Sequence, residues 1–369
     1  MGRLQQLHEA GVSLWLDTLS RELLETGEFE RLVHAFAVTG ATSNPTIFAK
    51  AITNSDRYDA QLQDLVARGL EDPQALFLEL ALEDIRQAAE LLRPTYERSG
   101  GADGFISLEC TPDLADDAGR TIEQAIDLWD RLELPNALIK VPATEAGVRA
   151  VEELTVRGVS VNVTLLFSVR RYEQVIEAYL RGLERRARHD QELGGLTSVA
   201  SFFVSRVDTK ADAALSHTSP LRGRIAIANA KRAYGRYLLR FTGPRWERLE
   251  AIGARPQRPL WASTGTKNPD YSDVLYVEQL IGPGVINTMP DATLRAFRDH
   301  GTVEPTLDAD AGEAARVLAA AAEGGLDLDV ITTELEREGV ESFCRSYDEL
   351  LRCIETKLAA ISGHDAIRA

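Results

Sequence analysis

The stretch that decides the fold is Gly158-Val-Ser-Val-Asn-Val-Thr-Leu-Leu-Phe167. Side chains alternate faces along a strand. Val159, Val161, Val163 and Leu165 therefore share one face, suited to a layer of helices. Ser160, Asn162 and Thr164 share the other. That second face is too polar for a solvent-free apolar core, and barrel interiors are normally filled by branched apolar residues.

Seven further runs read as strands. They are SLWLD near 13–17, FAVTGAT near 36–42, GFISLEC near 104–110, NALIKVP near 136–142, LTSVASFFV near 196–204, RPLWAST near 258–264 and GVINTMP near 284–290. Most are separated by segments of helical period, such as ALFLELALEDIRQAAELL and YEQVIEAYLRGLERRA. Strands alternating with helices imply a parallel sheet, and eight such units imply a (β/α)8 TIM barrel. The rival is an open doubly wound sheet. No GxGxxG or GxxxxGK[ST] follows any strand, which weighs against its nucleotide-binding forms. Residues 310–322 and about 328–362 read as additional C-terminal helices beyond the eighth strand. The whole chain, 1–369, reads as a single barrel domain with a helical extension over about 310–369. SHTSPLRGR, 216–224, reads as a surface loop between two helices.

Composition narrows the function classes. Of 369 residues, 44% are apolar and 27% charged, as in a soluble protein with a sizeable core. Acidic residues outnumber basic ones, 57 to 41, for a net charge of −16. That balance argues against nucleic acid or an anionic membrane as partner, though not against one small phosphate. The three cysteines, Cys110, Cys344 and Cys353, form no CxxC pair and suggest no disulfide framework. There is no signal-peptide core and no apolar run long enough to span a bilayer, so a cytoplasmic location is expected. The sequence leaves monomer and homodimer both open.

The inward polar residues gather toward the C-terminal ends of strands, where barrel active sites are built. Asp17 closes the first run. Thr42 and Asn44 share a face in TGATSNP. Ser107 and Glu109 oppose Ile106 and Leu108, and Lys140 opposes Ile139 and Val141. Each has a bland reading. Asp17 suits a helix N-cap, Glu109 a surface acid, Asn44 before Pro45 a turn, and Lys140 a solvated edge charge. Asn162 and Thr164 are harder to explain away in so apolar a strand. None of the six histidines stands at a strand end and no HExxH or HxH occurs, so no metal site is expected. A GxSxG elbow is also missing.

At these residues the chain resembles the transaldolase family, class I aldolases on a (β/α)8 barrel. The resemblance is carried by WLDTLS, GATSNPTIF, ISLE, LIKVPAT with EAGVRAV, VNVTLLFS, SFFVSRVD, WASTGTKNP and INTMP, in that order over about 13–290. The length is similar to that of the larger bacterial-type subgroup. The resemblance implies that Lys140 forms a Schiff base and that Asp17 is the general acid/base. It gives Glu109 and Thr164 the handling of protons through a water. It puts Asn44 and Asn162 on substrate hydroxyls, with Thr42 lining the same segment, and gives Ser201 and Arg206 the phosphate. Lys267 falls where many members carry a second phosphate-binding Arg. Lysine keeps the charge and loses the bidentate fork.

The implied reaction moves a dihydroxyacetone unit from a ketose phosphate to an aldose phosphate in the non-oxidative pentose phosphate pathway. It needs no cofactor and no metal. Its partners are sugar phosphates. The neighbouring reading is a fructose 6-phosphate aldolase, which releases dihydroxyacetone. Glu109, and Phe203 where such aldolases carry Tyr, favour the transferase. A silent sugar-phosphate-binding protein, for which loss of Lys140, Asp17 or Glu109 would be the mark, and a metal-dependent isomerase are more distant readings.

Overall fold

A computed structural model describes residues 2–308 and 311–368, with side chains described except at 311 and 362–368. Eight parallel strands close on themselves: β1 (Val12–Leu16), β2 (Val38–Thr42), β3 (Phe105–Glu109), β4 (Ala137–Pro142), β5 (Val161–Leu166), β6 (Ser198–Phe203), β7 (Arg258–Ala262) and β8 (Val285–Met289). Each pairs with the next in chain order, and β1 pairs with β8. The fold is the expected (β/α)8 barrel. The observed strands are mostly shorter than the quoted runs, because the flanking residues leave the ladder to enter turns.

Register carries the parity argument into space. Glu109 lies opposite Lys140, Lys140 opposite Asn162, and Pro142 opposite Thr164. Residues so paired point to the same side of a sheet. The alternation read along β5 holds as far as Thr164 and then breaks. Leu165 has φ +59°, and the pairing with β6 shifts between Val163 and Leu166. Leu165 thus leaves the face shared by Val161 and Val163, and its side chain packs against Gly339 of the C-terminal helix. A β-branched or aromatic residue at 339 would collide with it.

Below the site the barrel is filled and sealed. Trp15 and Phe105 sit 6.3 Å apart, centroid to centroid. The Trp15 indole N–H donates to Asp103 at 2.9 Å. Gly40 is required beside this indole, since a Cβ there would lie within 2.7 Å of three of its atoms. At the N-terminal end Arg258 donates to Ser13 Oγ at 2.8 Å and to the carbonyls of Gly284 and Val285 at 3.1 and 3.0 Å. Inward polar residues therefore occur at both ends of the barrel, and those at this end are structural.

Two helices follow β8 and its own helix: Ala311–Glu323 and Leu328–Arg368. They match the expected C-terminal pair; the expected start at 310 lies outside the described residues. The longer helix crosses the C-terminal end of the barrel and packs on the helix Pro45–Thr53. Tyr347 meets Phe77 edge-on at 5.8 Å, and Phe77 meets Phe48 at 5.6 Å. The segment 216–224 lies between the helices Ser205–Ala214 and Ile225–Arg240, as expected. Among the described residues no helix is long and apolar enough to cross a membrane.

Candidate active site

One cavity opens at the C-terminal end of the strands. It is lined by Asp17, Thr42, Asn44, Lys140, Thr164, Ser201, Phe203, Arg206 and Lys267, together with Ala262, Ser263, Gly265, Thr288, Pro290 and Phe343. Two of the expected residues, Glu109 and Asn162, stand just behind this lining. Among the described residues no histidine lines it.

Lys140 is 4% exposed. Its Nζ donates to Glu109 Oε2 at 3.2 Å and to the Ser43 carbonyl at 3.1 Å. The bland reading of Lys140 as a solvated edge charge is thereby removed, and so is that of Glu109 as a surface acid. Burial pushes the Glu109 carboxyl above the usual range, against the pull of Lys140. A buried acid and amine in contact can trade one proton with no change in net charge.

Asp17 caps nothing. The next helix is capped by Ser20, whose side chain accepts from the Leu23 N–H. Asp17 instead accepts from the Thr42 hydroxyl at 3.3 Å. Burial raises its carboxyl, opposed by Lys140, that hydrogen bond, Arg206 and Lys267. Three cations therefore surround one carboxyl around one cavity. Asn44 serves twice: it lines the cavity and accepts from the Ile47 N–H at 3.0 Å as N-cap of the next helix. Asn44 thus shapes the start of that helix and faces the cavity at once.

Asn162 is fully buried. It donates to Ser107 Oγ at 2.9 Å, and its oxygen accepts from Ser201 Oγ at 2.7 Å. An amide carries two N–H donors, so one is left. Thr164 Oγ1 is buried with no hydrogen-bond partner among the described residues. A buried hydroxyl left so costs about 1–3 kcal/mol, which a water or substrate atom in the cavity would recover.

The opposite wall is cationic. The Arg206 guanidinium lies 5.2 Å from the centre of the Phe203 ring, which packs on Phe167 at 5.2 Å. Burial lowers the Arg206 pKa, with Asp17 opposing. Lys267 is exposed at the rim. Arginine on an aromatic face beside a second cation and the Ser201 hydroxyl suits a phosphoryl group.

Sequence reasoning missed the Ser43 carbonyl, Ser263, Thr288 and Phe343. Thr288 was open to the parity argument, since it lies opposite Trp15 and shares the inward face. Ser263 has φ +55°, which nothing local announces. Phe343 comes from a helix remote in sequence.

A family model described as Transaldolase/Fructose-6-phosphate aldolase matches residues 14–354. The chain belongs to that family. Its relatives align nearly end to end. A protein named Transaldolase from Saccharopolyspora erythraea is 47% identical over 359 residues, 96% of this chain and 97% of its own. Those of Frankia alni and Thermobifida fusca, named alike, are 47% and 48% identical over 98% and 97% of this chain, and over 99% and 98% of theirs. The transaldolase-family match covers every residue of the cavity lining, including Phe343.

Proposed function

We propose that this enzyme transfers a dihydroxyacetone unit between sugar phosphates through an imine on Lys140. The observation that carries the reading is the contact of a buried lysine with a buried carboxyl whose pKa is raised, beside a second carboxyl across the same cavity. The donors are ketose phosphates such as sedoheptulose 7-phosphate and fructose 6-phosphate. The acceptors are glyceraldehyde 3-phosphate and erythrose 4-phosphate.

The neutral amine of Lys140 attacks the C2 carbonyl of the ketose. Glu109 accepts the lysine proton and returns it as carbinolamine loses water. Thr164 Oγ1, otherwise unpartnered, holds that water with Glu109. The iminium withdraws electrons from the C3–C4 bond. Asp17 removes the proton of the C4 hydroxyl, the bond breaks, and the aldose phosphate leaves. The enamine then adds to the carbonyl carbon of a second aldose phosphate, whose new alkoxide takes the proton back from Asp17. Water hydrolyses the imine and frees the product and Lys140. Asn44 and the uncommitted N–H of Asn162 hold sugar hydroxyls, with Thr42 beside Asp17. Arg206 and Lys267 hold the phosphate, joined by Ser201 once its hydroxyl proton turns from the Asn162 oxygen to a phosphate oxygen.

We read residues 1–369 as one catalytic unit, because the C-terminal helix supplies part of the cavity wall. Sugar phosphates set the expected location as the cytoplasm. The test is chemical. Incubation with fructose 6-phosphate and borohydride should leave a reduced adduct on Lys140, located by mass spectrometry. An adduct on another lysine, or none, would overturn the assignment.

A further inference from the structure

Among the described residues, the eight βα units account for all of the cavity lining but one residue. Phe343, 4% exposed, reaches the cavity from the helix Leu328–Arg368. That helix is fastened on both sides of the ring. Before it, Glu334 and Glu338 meet Lys210 at 2.7 and 2.5 Å, and Glu336 meets Arg171 at 3.2 Å. After it, Ser346 accepts from Thr46 at 2.8 Å and Lys357 meets Asp59 at 2.5 Å. Gly339, one turn before Phe343, lets the helix settle onto Leu165. An apolar stripe alone lets a helix slide. Polar pins on both sides fix where this ring stands.

Its position matters for the lysine-bound three-carbon intermediate. Once the first aldose phosphate has left, the enamine has two fates. It adds to an aldehyde carbonyl, forming a C–C bond while Asp17 protonates the new alkoxide. Or its nucleophilic carbon takes a proton, one water adds to the resulting iminium, and the C–N bond breaks to give dihydroxyacetone and free Lys140. The second fate consumes one water in all. Resting on the imine reading above, we propose that Phe343 determines specificity: its ring at the cavity wall limits water around the bound enamine and so favours transfer over release of dihydroxyacetone.

The experiment compares the wild type with Phe343→Ala and Phe343→Leu. The readout is the ratio of dihydroxyacetone released to unit transferred, with fructose 6-phosphate as donor, alongside borohydride trapping on Lys140. Expected is a rise in the ratio of about tenfold for Phe343→Ala and about threefold for Phe343→Leu, with trapping retained. A merely structural role would lower release and transfer together, and an unchanged ratio in the trapped-competent variants overturns the proposal. Should Phe343→Ala not fold, Phe343→Leu decides by the same criterion. A wild type that transfers nothing or traps on no lysine overturns the imine reading instead, which the ratio in the variants does not test.

Discussion

Replacing Arg206 by alanine tests the proposed phosphate contact apart from the rest of the chemistry. A hydrogen bond to a charged group contributes about 1.5–3 kcal/mol, so two from one guanidinium give about 3–6 kcal/mol. Arg206 is half-buried and stacked on Phe203, between an exposed pair near zero and a fully desolvated one. The lower end, about 3 kcal/mol, is the better figure, and it corresponds to a loss of about 10²-fold. The assay follows the rate of imine trapping on Lys140 against donor concentration, with fructose 6-phosphate in one series and dihydroxyacetone in the other. Only the first carries a phosphate, so only the first should lose about two decades in efficiency. A second effect is separable. Arg206 is among the cations that hold the Asp17 carboxyl down against burial. Without it, the acid limb of fructose 6-phosphate turnover shifts to higher pH. Equal losses for both donors at a pH well above that limb would refute the phosphate role.

Other consequences follow from single contacts. Lys267→Arg restores a bidentate fork at the rim and should lower KM for phosphorylated donors by about threefold or more, with no gain for dihydroxyacetone; steady-state kinetics on both donors checks it. Asp208, held by the Ala226 N–H at 2.7 Å and the Tyr276 hydroxyl at 3.0 Å, is raised to about 7, chiefly by burial. A folded value above the unfolded one stabilises below the ordinary aspartate range, and that stability is lost as pH rises through about 7. Asp208→Asn should therefore flatten the fall in unfolding free energy between about pH 4 and 8, by up to about 4 kcal/mol as read by denaturant titration at each pH, and parallel profiles would contradict it. Gly147→Ala places a Cβ on the Pro142 carbonyl oxygen, at the end of the strand that carries Lys140. Backbone cannot yield as a side chain does, so denaturant titration should show a loss of about 3 kcal/mol or more, with slower trapping on Lys140.

Most of the barrel was legible because its strands are buried on both faces. Such strands read as apolar runs, and inward polar residues stand out against them. Legibility failed where local geometry departs from the pleat. Leu165 was counted with Val161 and Val163, yet its left-handed backbone turns it toward Gly339. Parity also marks polarity without marking its end of the barrel: Arg258 and Ser13 share a hydrogen bond at the sealed N-terminal end. Only position along the strand separates that seal from Asp17 and Lys140. Phe343 was beyond reach for a different reason. Its helical neighbours give it a buried face, but which surface that face meets is set by how the long helix packs across the barrel mouth. The glutamates that pin it read from sequence as an ordinary solvated helix face.

The Lys140–Glu109 pair is best understood by asking what else would account for it. Burying two charges costs several kcal/mol per ion, and exchanging such a pair for apolar residues of like volume is often neutral or stabilising. The barrel fill does not need it, because Trp15 and Phe105 fill the lower layer and Arg258 seals the end. Stability is therefore a poor reason for its presence. Catalysis is a better one. Transfer of the proton from Lys140 to Glu109 turns two buried ions into two neutral groups, so the burial that raises the carboxyl pulls toward the nucleophilic amine. Asp17 differs in one respect. Among the described residues its carboxyl makes no ion pair and accepts one side-chain hydrogen bond, from the Thr42 hydroxyl, so a proton on it is open to exchange with a sugar oxygen in the cavity. Two carboxyls raised by the same burial are thus set to different work by their nearest neighbours, one an amine and the other a hydroxyl. By that reasoning Glu109→Gln should slow formation and hydrolysis of the imine together while leaving Asp17-dependent cleavage intact once the imine exists.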